Sequence, residues 1–420
     1  MPTALPTPPH LAELELTYAT PDRLHEFMAA VARGFHGEWD PKLWGPHAAV
    51  IEPERCFGFA VDGRWVSTCG AYSRQLSVPG GVVPTAAVTI VTVQPSYRRR
   101  GLLTAMMTHQ LEQIAARGVE PVALLWASET LIYGRYGYGH AAPRAKLTGQ
   151  TRSTGFLPSV LPGEGSVGEL ERAEAIPAMK RLHARMLPGR PGALDRSEGW
   201  WEIGLYDPEQ WRGGWKGYRF ALHYGAKGAP DGYVVFRVKE GMEVTGPTGE
   251  VEIVELDAAD PGAHAALWRF VLDLDLVRTY RYDLASVGEP LRYLVADQRA
   301  VSTQIVDGTF ARLVDVRRAL AERAYGAEVD LVLGVTDRLL PHNDGPIRLQ
   351  TSGSGGQVGR ARRKPDLTVD VRELGAIYLG GVSLNDLHRA GLVQERRKGA
   401  VAAAASAFGW TRPPLTPDHF

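Results

Sequence analysis

The residues of this chain best suited to chemistry are three consecutive arginines, Arg98 to Arg100, followed directly by Gly101. They stand between an apolar segment that ends at Val93 and an amphipathic segment that begins at Leu102. Backbone N–H groups at the start of a helix have no partner within the helix, and the helix dipole places positive potential there. A glycine at this point lets a phosphate approach the backbone closely. The pattern predicts a site for a phosphate-bearing cofactor, although three adjacent arginines alone also fit a solvated basic corner.

Two strands and one helix must position this turn. Residues 86–93 are rich in Val, Ile and Thr, which predicts a strand buried on both faces. A second apolar strand is predicted over residues 121–127, after a helix that ends at Gly118. The helix is predicted from apolar residues that recur at the 3.6-residue period and share one face: Leu103, Met107, Leu111 and Ile114.

A cluster of tyrosines and glycines follows the second strand. Tyr133, Tyr136 and Tyr138 alternate with three glycines within seven residues. A phenol can donate a proton to a leaving group, but tyrosines in such a cluster also serve as packing aromatics. We expect packing roles for Tyr136 and Tyr138, and a chemical role for Tyr133 near the end of the strand.

The order of these motifs resembles the acyl-CoA core of the GCN5-related N-acetyltransferases (GNAT). That core has an Arg/Gln-x-x-Gly turn, an amphipathic helix, an apolar strand and a Tyr-x-x-x-Gly-aromatic segment. In this chain the first and last motifs are residues 98–103 and 133–138. The sequence departs from the family at Leu103, where the family usually has Gly or Ala.

Residues 98–103 together with residues 127–139 are similar to one branch of that family, the Eis (enhanced intracellular survival) acetyltransferases. The branch also has a second, degenerate GNAT domain and a C-terminal sterol-carrier-like domain. The resemblance therefore implies an α/β fold with mixed sheets in three parts. These are a catalytic GNAT domain over residues 1–150, a degenerate GNAT-like domain over residues 151–308, and a sterol-carrier-like domain over residues 309–420, whose C-terminus reaches the active site.

The resemblance implies acetyl-CoA as co-substrate and indicates which residues bind it. Backbone groups of Val91, Thr92 and Val93 would align the pantetheine arm, and Ser128 and Glu129 would contact the cofactor after the second strand. The pyrophosphate would be held by the charges and backbone amides of the turn: Arg99, Arg100, Gly101, Leu102, Leu103 and Thr104.

N-acetyl transfer requires a proton for the leaving thiolate and removal of a proton from the attacking ammonium, whose pKa is about 10.4. We predict Tyr133 as the general acid. The resemblance implies that the α-carboxylate of Phe420, at the C-terminus, serves as the base. A carboxylate of intrinsic pKa ~3.5 is a weak base, so burial would have to raise its pKa. Asp418, His419 and His140 are the alternatives for this role.

The acceptor amine is cationic, which favours an acidic and aromatic pocket. Glu38 and Trp39 follow the first predicted helix and are candidates for this pocket, but a capped helix end with a packing tryptophan explains them equally well. The resemblance implies aminoglycosides acetylated at several positions as acceptors, with polyamine-like amines and protein lysines as others, and also a homohexamer. The competing functions are a protein-lysine acetyltransferase and a non-catalytic lipid- or ligand-binding scaffold.

Composition excludes several functions. The 47 basic and 47 acidic residues cancel, which argues against a nucleic-acid binder. No apolar run reaches the roughly 20 residues that span a bilayer, and the proline-rich residues 1–10 predict a disordered leader without signal-peptide features. We therefore expect no membrane partner and a cytoplasmic location. Cys56 and Cys69 fit two buried thiols better than a disulfide, and no metal site is expected.

Turn residues and periodicity predict the rest of the chain. Residues 148–168 are rich in Ser, Thr, Gly and Pro, which predicts a linker. The second unit repeats the order of helix, meander and helix, but it has no Arg-x-x-Gly turn. In the third unit, residues 311–325 predict an amphipathic helix and residues 353–359 a mobile turn.

Overall fold

The computed structural model describes residues 14–160 and 163–420, and the predicted leader over residues 1–10 lies outside them. The first unit has an antiparallel meander followed by a strand–helix–strand segment. Its strands are β1 (Glu15–Tyr18), β2 (Phe57–Val61), β3 (Arg64–Trp65), β4 (Ser67–Val78), β5 (Gly81–Val93), β6 (Val122–Trp126) and β7 (Gly139–Gln150). Its helices are α1 (Leu24–Gly34), α2 (Pro41–Ala48), α3 (Leu102–Arg117) and α4 (Thr130–Tyr133).

The second unit repeats the meander and the strand–helix–strand segment. Its strands are β8 (Gly165–Leu170), β9 (Arg219–Gly225), β10 (Pro230–Lys239), β11 (Met242–Glu243), β12 (Gly246–Pro247), β13 (Gly249–Ala258), β14 (Val277–Ser286) and β15 (Ser302–Leu313). Its helices are α5 (Arg172–Met186), α6 (Glu198–Gly204), α7 (Pro261–Leu272) and α8 (Leu291–Leu294).

The third unit is a separate five-stranded sheet with short helices, in the order β18-β17-β16-β19-β20. Its strands are β16 (Asp330–Thr336), β17 (Gly345–Ser352), β18 (Gly355–Arg360), β19 (Leu367–Asp370) and β20 (Val393–Glu395). Its helices are α9 (Val316–Ala321), α10 (Val371–Ile377), α11 (Leu384–Arg389) and α12 (Ala400–Phe408).

The first two units exchange their last strands and so form one sheet. Among the described residues, thirteen strands follow the order β1-β2-β4-β5-β6-β15-β7-β14-β13-β10-β9-β8, with β3 on β2. Strand β15 of the second unit lies between β6 and β7 of the first, antiparallel to both. Strand β7 of the first unit in turn pairs with β14 of the second. The exchange fixes the two units relative to one another.

Helix α10 of the third unit packs directly on β7 and β15 at two glycines. A Cβ atom at Gly139 would lie 1.9 Å from the carbonyl oxygen of Arg372, and one at Gly375 would lie 2.3 Å from that of Ala311. Only glycine allows a helix and a sheet to approach this closely. The buried apolar cluster at this contact extends from Leu124 of β6 across β15 into the third unit, so the units share a core.

The helix predicted over residues 311–325 is wrong in its first part. Residues up to Leu313 continue β15, and the helix is confined to α9. Residues 308–313 are buried on both faces because β15 lies in the middle of the sheet. The two polar residues of this run, Thr309 and Arg312, are three positions apart, which is the spacing of a helix face and not the alternation of a strand. The boundary predicted between residues 308 and 309 also falls inside β15.

Two other predicted segments differ from the structure. Residues 355–359, expected to be part of a mobile turn, belong to β18, which is antiparallel to β17. Residues 148–150, expected to begin a linker, end β7 and pair with β14. Both segments owe their strand conformation to backbone pairing with a partner strand, which a polar or glycine-rich sequence does not reveal.

Candidate active site

Strands β5 and β6 diverge where the sequence predicts the cofactor arm. Their parallel pairing covers only residues 85–88 and 122–125. Beyond it Ile90 has a φ of 48°, and the register of β5 on β4 shifts between Thr68 and Gly70. A Cβ atom at Gly70 would lie 2.8 Å from Cδ1 of Ile90, so the glycine makes room for this bulge. Residues 89–93 are therefore paired with β4 alone, and their other edge is open.

The three predicted residues of the cofactor arm lie on this open stretch. Val91 and Val93 are half-buried, whereas Thr92 is buried. The Oγ1 atom of Thr92 lies 2.7 Å from Oγ1 of Thr68, and a Cβ atom at Gly34 would lie 2.4 Å from the Thr92 side chain. Because this side chain is enclosed, Thr92 can offer only its main chain to a ligand.

The turn over residues 98–101, predicted to bind the pyrophosphate and called the anion turn below, leads into helix α3. Gly101 precedes the helix at φ 85° and ψ −4°, and Arg99 has a φ of 62°. No side chain among the described residues caps this helix end, so its first amides keep their donors available for a ligand. The side chains of Arg99 and Arg100 are exposed, and Arg98 donates from Nε to the carbonyl oxygen of Val93 at 3.2 Å. Of the remaining predicted residues in the turn, Leu102 is buried, Leu103 is half-buried and Thr104 is exposed.

The corresponding helix of the second unit has no such opening. Helix α7 follows β13 as α3 follows β5, but Asp260 precedes it. The Asp260 carboxylate accepts hydrogen bonds from the amides of Gly262 at 2.8 Å and Ala263 at 3.0 Å. These are the donors that an anion would need, and a carboxylate already placed there also repels one. The capping explains why the second unit is unsuited to a pyrophosphate.

Tyr133 lies at the end of α4 and is buried, with 7% of its surface exposed. Burial raises the pKa of its phenol, with a smaller contribution from nearby Cys69, so the hydroxyl keeps its proton at neutral pH. Tyr136 and Tyr138 are also buried. The hydroxyl of Tyr136 lies 3.2 Å from Oγ1 of Thr104, which connects the aromatic segment to the first turn of α3. Ser128 and Glu129 are exposed just before α4.

A cavity of about 310 Å³ lies beside the bulge of β5. Glu38 and Trp39, the candidates for the acceptor pocket, line this cavity, and so does Phe420. Glu38 has the only side-chain carboxylate among the described lining residues, so this cavity is more apolar than the sequence led us to expect. The full lining is Met28, Val31, Ala32, Phe35, Gly37, Glu38, Trp39, His47, Tyr72, Thr89, Ile90, Trp200, Ile203, His419 and Phe420.

A second cavity of about 360 Å³ adjoins the first and supplies the missing carboxylates. Trp200 and His419 are among the residues that line both cavities. The second cavity is lined by charged side chains of both signs, mostly from the second unit: Arg196, Arg237, Glu252, Glu255, Asp283 and Asp418. The site therefore has an apolar lobe beside Phe420 and a polar lobe beyond Trp200.

Each alternative to Phe420 as base makes a contact of its own, although His419 also lines the apolar lobe. His140 accepts a hydrogen bond at Nε2 from the amide of Gly308 at 3.2 Å, which occupies the lone pair of that nitrogen. Burial also lowers the pKa of His140. Asp418 accepts from Nε of Arg196 at 2.7 Å. The ring of His419 packs on that of Trp126 with centroids 4.3 Å apart, and burial lowers its pKa.

Comparison with known proteins identifies the family. Residues 15–141 and residues 192–314 each match the acetyltransferase (GNAT) domain family, and residues 316–417 match the sterol carrier protein domain family. The N-acetyltransferase Eis of Mycobacterium tuberculosis is 32% identical to this chain over 358 residues, which cover 82% of this chain and 83% of that protein. The chain belongs to the Eis family of GCN5-related N-acetyltransferases.

Two further proteins match this chain along most of its length. The crystal structure of Eis1 from Mycobacterium abscessus superposes with a TM-score of 0.82 at 33% identity, covering 97% of this chain and 100% of that one. An uncharacterized N-acetyltransferase of Streptomyces avermitilis is 41% identical over 382 residues, covering 90% of this chain and 92% of that protein. These similarities confirm the predicted fold class and identify the chain as an acetyltransferase, and GNAT acetyltransferases use acetyl-CoA.

Among the described residues, no group of three or more His, Cys, Asp or Glu side chains is placed to hold a metal ion. Within residues 14–160 and 163–420, no helix has the length and apolar character to cross a bilayer. Cys56 and Cys69 are both buried free thiols, and burial raises the pKa of each.

Several residues of this Eis-family site were not predicted from the sequence. Tyr72 and Trp200 line the apolar lobe, and their rings pack edge to face with centroids 4.9 Å apart. Tyr72 comes from β4 and Trp200 from α6 of the second unit, 128 positions later. Neither lies in a motif, so only the assembly of the two units reveals them.

Proposed function

We propose that this chain transfers the acetyl group of acetyl-CoA to primary amines in a ternary complex. The amine nitrogen attacks the carbonyl carbon of the thioester and forms the C–N bond, and the C–S bond then breaks. Before the attack, one proton of the ammonium passes to the carboxylate of Phe420, which leaves a neutral amine. As the C–S bond breaks, Tyr133 gives its proton to the departing thiolate, and the second proton that the nitrogen loses restores the phenol. This assignment keeps one acid and one base at the two ends of the reacting group.

The observation that carries the proposal is that Phe420 lines the same cavity as Glu38, Trp39 and the bulge at Ile90. The end of the third unit thereby lies beside the bulge of β5, which directly precedes the stretch proposed for the thioester arm. The raised pKa of Tyr133 supports its role as acid, because the phenol is protonated at neutral pH.

Binding of acetyl-CoA is assigned to the open stretch of β5 and to the anion turn. Main-chain groups of Val91, Thr92 and Val93 would align the pantetheine arm, and Ser128 and Glu129 would contact the cofactor before α4. The amides of residues 101–104 and the exposed charges of Arg99 and Arg100 would hold the pyrophosphate.

The proposed acceptors are aminoglycosides, acetylated at several positions, and polyamine-like amines. Two adjoining lobes support this, because a molecule with several amines could place different ones beside Phe420 while its remainder occupies the polar lobe. Protein lysines as acceptors, a homohexameric assembly and a cytoplasmic location remain predictions.

The experiment that tests the mechanism measures CoA release with a panel of aminoglycosides and polyamines. We compare the full chain with a variant lacking Phe420 and with one that carries an added glycine after Phe420. Both changes displace the terminal carboxylate, and both should lower kcat by about 100-fold or more. The control is Phe420→Tyr, which keeps the carboxylate and an aromatic ring and should retain most of the turnover. Full activity in the shortened or extended chain would exclude the carboxylate as base.

A further inference from the structure

The C-terminal tail (residues 409–420) has no regular secondary structure but is held along its length by the second unit and by β15. The amide of Leu415 donates to the carbonyl oxygen of Pro191 at 2.9 Å. The hydroxyl of Thr416 donates to the carbonyl oxygen of Gly192 at 2.8 Å and lies 2.8 Å from that of Thr309. A segment of this kind would ordinarily fray at its end, so these contacts need an explanation.

Asp418, two residues before Phe420, makes the strongest of the contacts that hold the tail. Arg196 donates from Nε to Oδ1 of Asp418 at 2.7 Å, and the two side chains are only 5% and 6% exposed. Arg196 is itself held in place, since Nη1 donates to Oε2 of Glu255 at 3.0 Å and the guanidinium lies 4.8 Å from the ring centre of Trp201. Because Arg196 is already held in one orientation, its buried charge-assisted hydrogen bond restricts the position of Asp418.

A second group grips the main chain at the same residue from the first unit. Trp126, the last residue of β6, donates from Nε1 to the carbonyl oxygen of Asp418 at 2.8 Å. Its ring also packs on His419, with centroids 4.3 Å apart. Asp418 is therefore fixed through its side chain by the second unit and through its main chain by the first.

We propose that Arg196 and Trp126 are positioning residues for the reaction: together they clamp Asp418 and thereby set where the carboxylate of Phe420 lies. The inference rests on the proposed function, in which that carboxylate is the base. Consecutive Cα atoms are about 3.8 Å apart, so one released residue allows the terminus to move by several ångströms. Displacement of that size is enough to uncouple a base from the proton that it removes.

The clamp also joins the three units into one site. The first unit supplies Trp126, the second supplies Arg196, and the third supplies the tail that both hold. Neither side chain touches the apolar lobe, whereas His419 and Phe420 line it. Trp126 lines neither lobe and therefore acts on the acceptor site through the tail, whereas Arg196 acts on the apolar lobe through the tail and also lines the polar lobe.

The test uses Arg196→Gln and Trp126→Phe in the full chain. Loss of the charge-assisted bond in Arg196→Gln should lower kcat about 10- to 100-fold, and loss of the neutral bond in Trp126→Phe about 2- to 10-fold. The KM for acetyl-CoA should not change in either variant. The matched controls are Arg219→Gln, whose partner Glu169 is exposed, and Trp211→Phe in the second unit, and both should behave as the parent protein.

The direct readout of the clamp is the rate at which a carboxypeptidase releases Phe420 from the folded protein. Cleavage follows the population of the detached tail, so release of phenylalanine should be at least 10-fold faster in Arg196→Gln and at least 2-fold faster in Trp126→Phe than in the parent. Acetyl-CoA affinity by calorimetry and the far-UV circular dichroism spectrum show that the rest of the molecule is intact. Release at the parent rate from both variants would overturn the clamp.

A final comparison separates failure of the clamp from failure of the proposed base. In a chain that lacks Phe420, Arg196→Gln should cause no further loss of turnover, because both changes remove the same group from the site. A further loss of 10-fold or more would show that Arg196 acts by another route and would overturn its positioning role. Faster release of phenylalanine together with unchanged kcat would overturn the positioning role, whereas failure of the base itself would show as full turnover in the chain that lacks Phe420.

Discussion

Arg312 of β15 donates from Nη2 to both carboxylate oxygens of Asp337, at 2.8 Å each, with neither side chain exposed by more than 1%. The same guanidinium donates from Nε to the carbonyl oxygen of Tyr136 at 2.9 Å. A Cβ atom at Gly137 would lie 2.8 Å from that Nε atom, so glycine is needed beside it. The pair connects the third unit to the aromatic segment that contains Tyr133, across the central strand of the sheet.

Breaking this pair should strongly destabilise the protein. Asp337→Ala would leave the Arg312 charge buried without its partner, at a cost of about 3–5 kcal/mol in the free energy of unfolding. The control is Asp330→Ala, whose partner Arg348 is about half exposed, and it should cost less than about 1 kcal/mol. Urea denaturation of both variants gives the two values, and equal losses would contradict the argument.

Tyr133→Phe should reduce kcat by about 100-fold or more while the KM for acetyl-CoA is unchanged, because the variant loses the proton donor but keeps the ring. The matched control is Tyr138→Phe, which removes a hydroxyl that is buried and has no hydrogen-bond partner among the described residues. That control should keep full activity. Steady-state kinetics decide, and a Tyr133→Phe enzyme with parental kcat would exclude this phenol as the acid.

The pH profile should contain no alkaline limb from Tyr133 below pH 10. Burial raises the pKa of this phenol above its ordinary value of 10.0, so the acid stays protonated over the usual assay range. The kcat profile of the parent enzyme from pH 6 to 10 provides the measurement. A fall in kcat centred below pH 10 that disappears in Tyr133→Phe would show that the phenol loses its proton in that range.

Gly101 and Gly118 provide a matched pair at the two ends of α3, with φ of 85° and 64°. Alanine at either position adopts a left-handed conformation at a cost of about 1–2 kcal/mol in stability. Only Gly101→Ala should also weaken acetyl-CoA binding, because its Cβ would lie beside the free amides of the helix start. Calorimetric titration of both variants separates the two effects, and equal affinity would argue against a pyrophosphate at this turn.

Protonation of His140 should destabilise the fold as the pH falls. The pKa of His140 is lowered in the folded protein. Below the unfolded value of about 6.5 the unfolded chain therefore binds more protons than the folded chain, and the free energy of unfolding decreases as the pH falls. His140→Gln keeps an acceptor for the Gly308 amide and does not titrate, so its stability should depend less on pH between 7.5 and 5.5. Thermal unfolding midpoints of both proteins across this range measure the dependence. The same slope of midpoint against pH in His140→Gln and in the parent would contradict the prediction.

The parts of the site that are local in sequence could be predicted. The turn before α3 depends on a glycine in a left-handed conformation and on free amides, and both follow from residues 98–104 alone. The α3 helix follows from apolar periodicity, and its flanking strands follow from their continuous apolar runs. The strand over residues 308–313 could not be distinguished from a helix, because its polar residues Thr309 and Arg312 are both buried and do not alternate along the strand.

The sequence by itself determined the family, the three units and the anion turn, since each depends on residues close together in the chain. Only the tertiary structure decided the exchange of β7 and β15 and the path of the C-terminal tail. Trp126 and Asp418 are 292 residues apart, yet they share a hydrogen bond beside the proposed acceptor site. Such contacts form between strand edges and hydrogen-bond donors that become neighbours only when the three units assemble. No local pattern of residues contains that information.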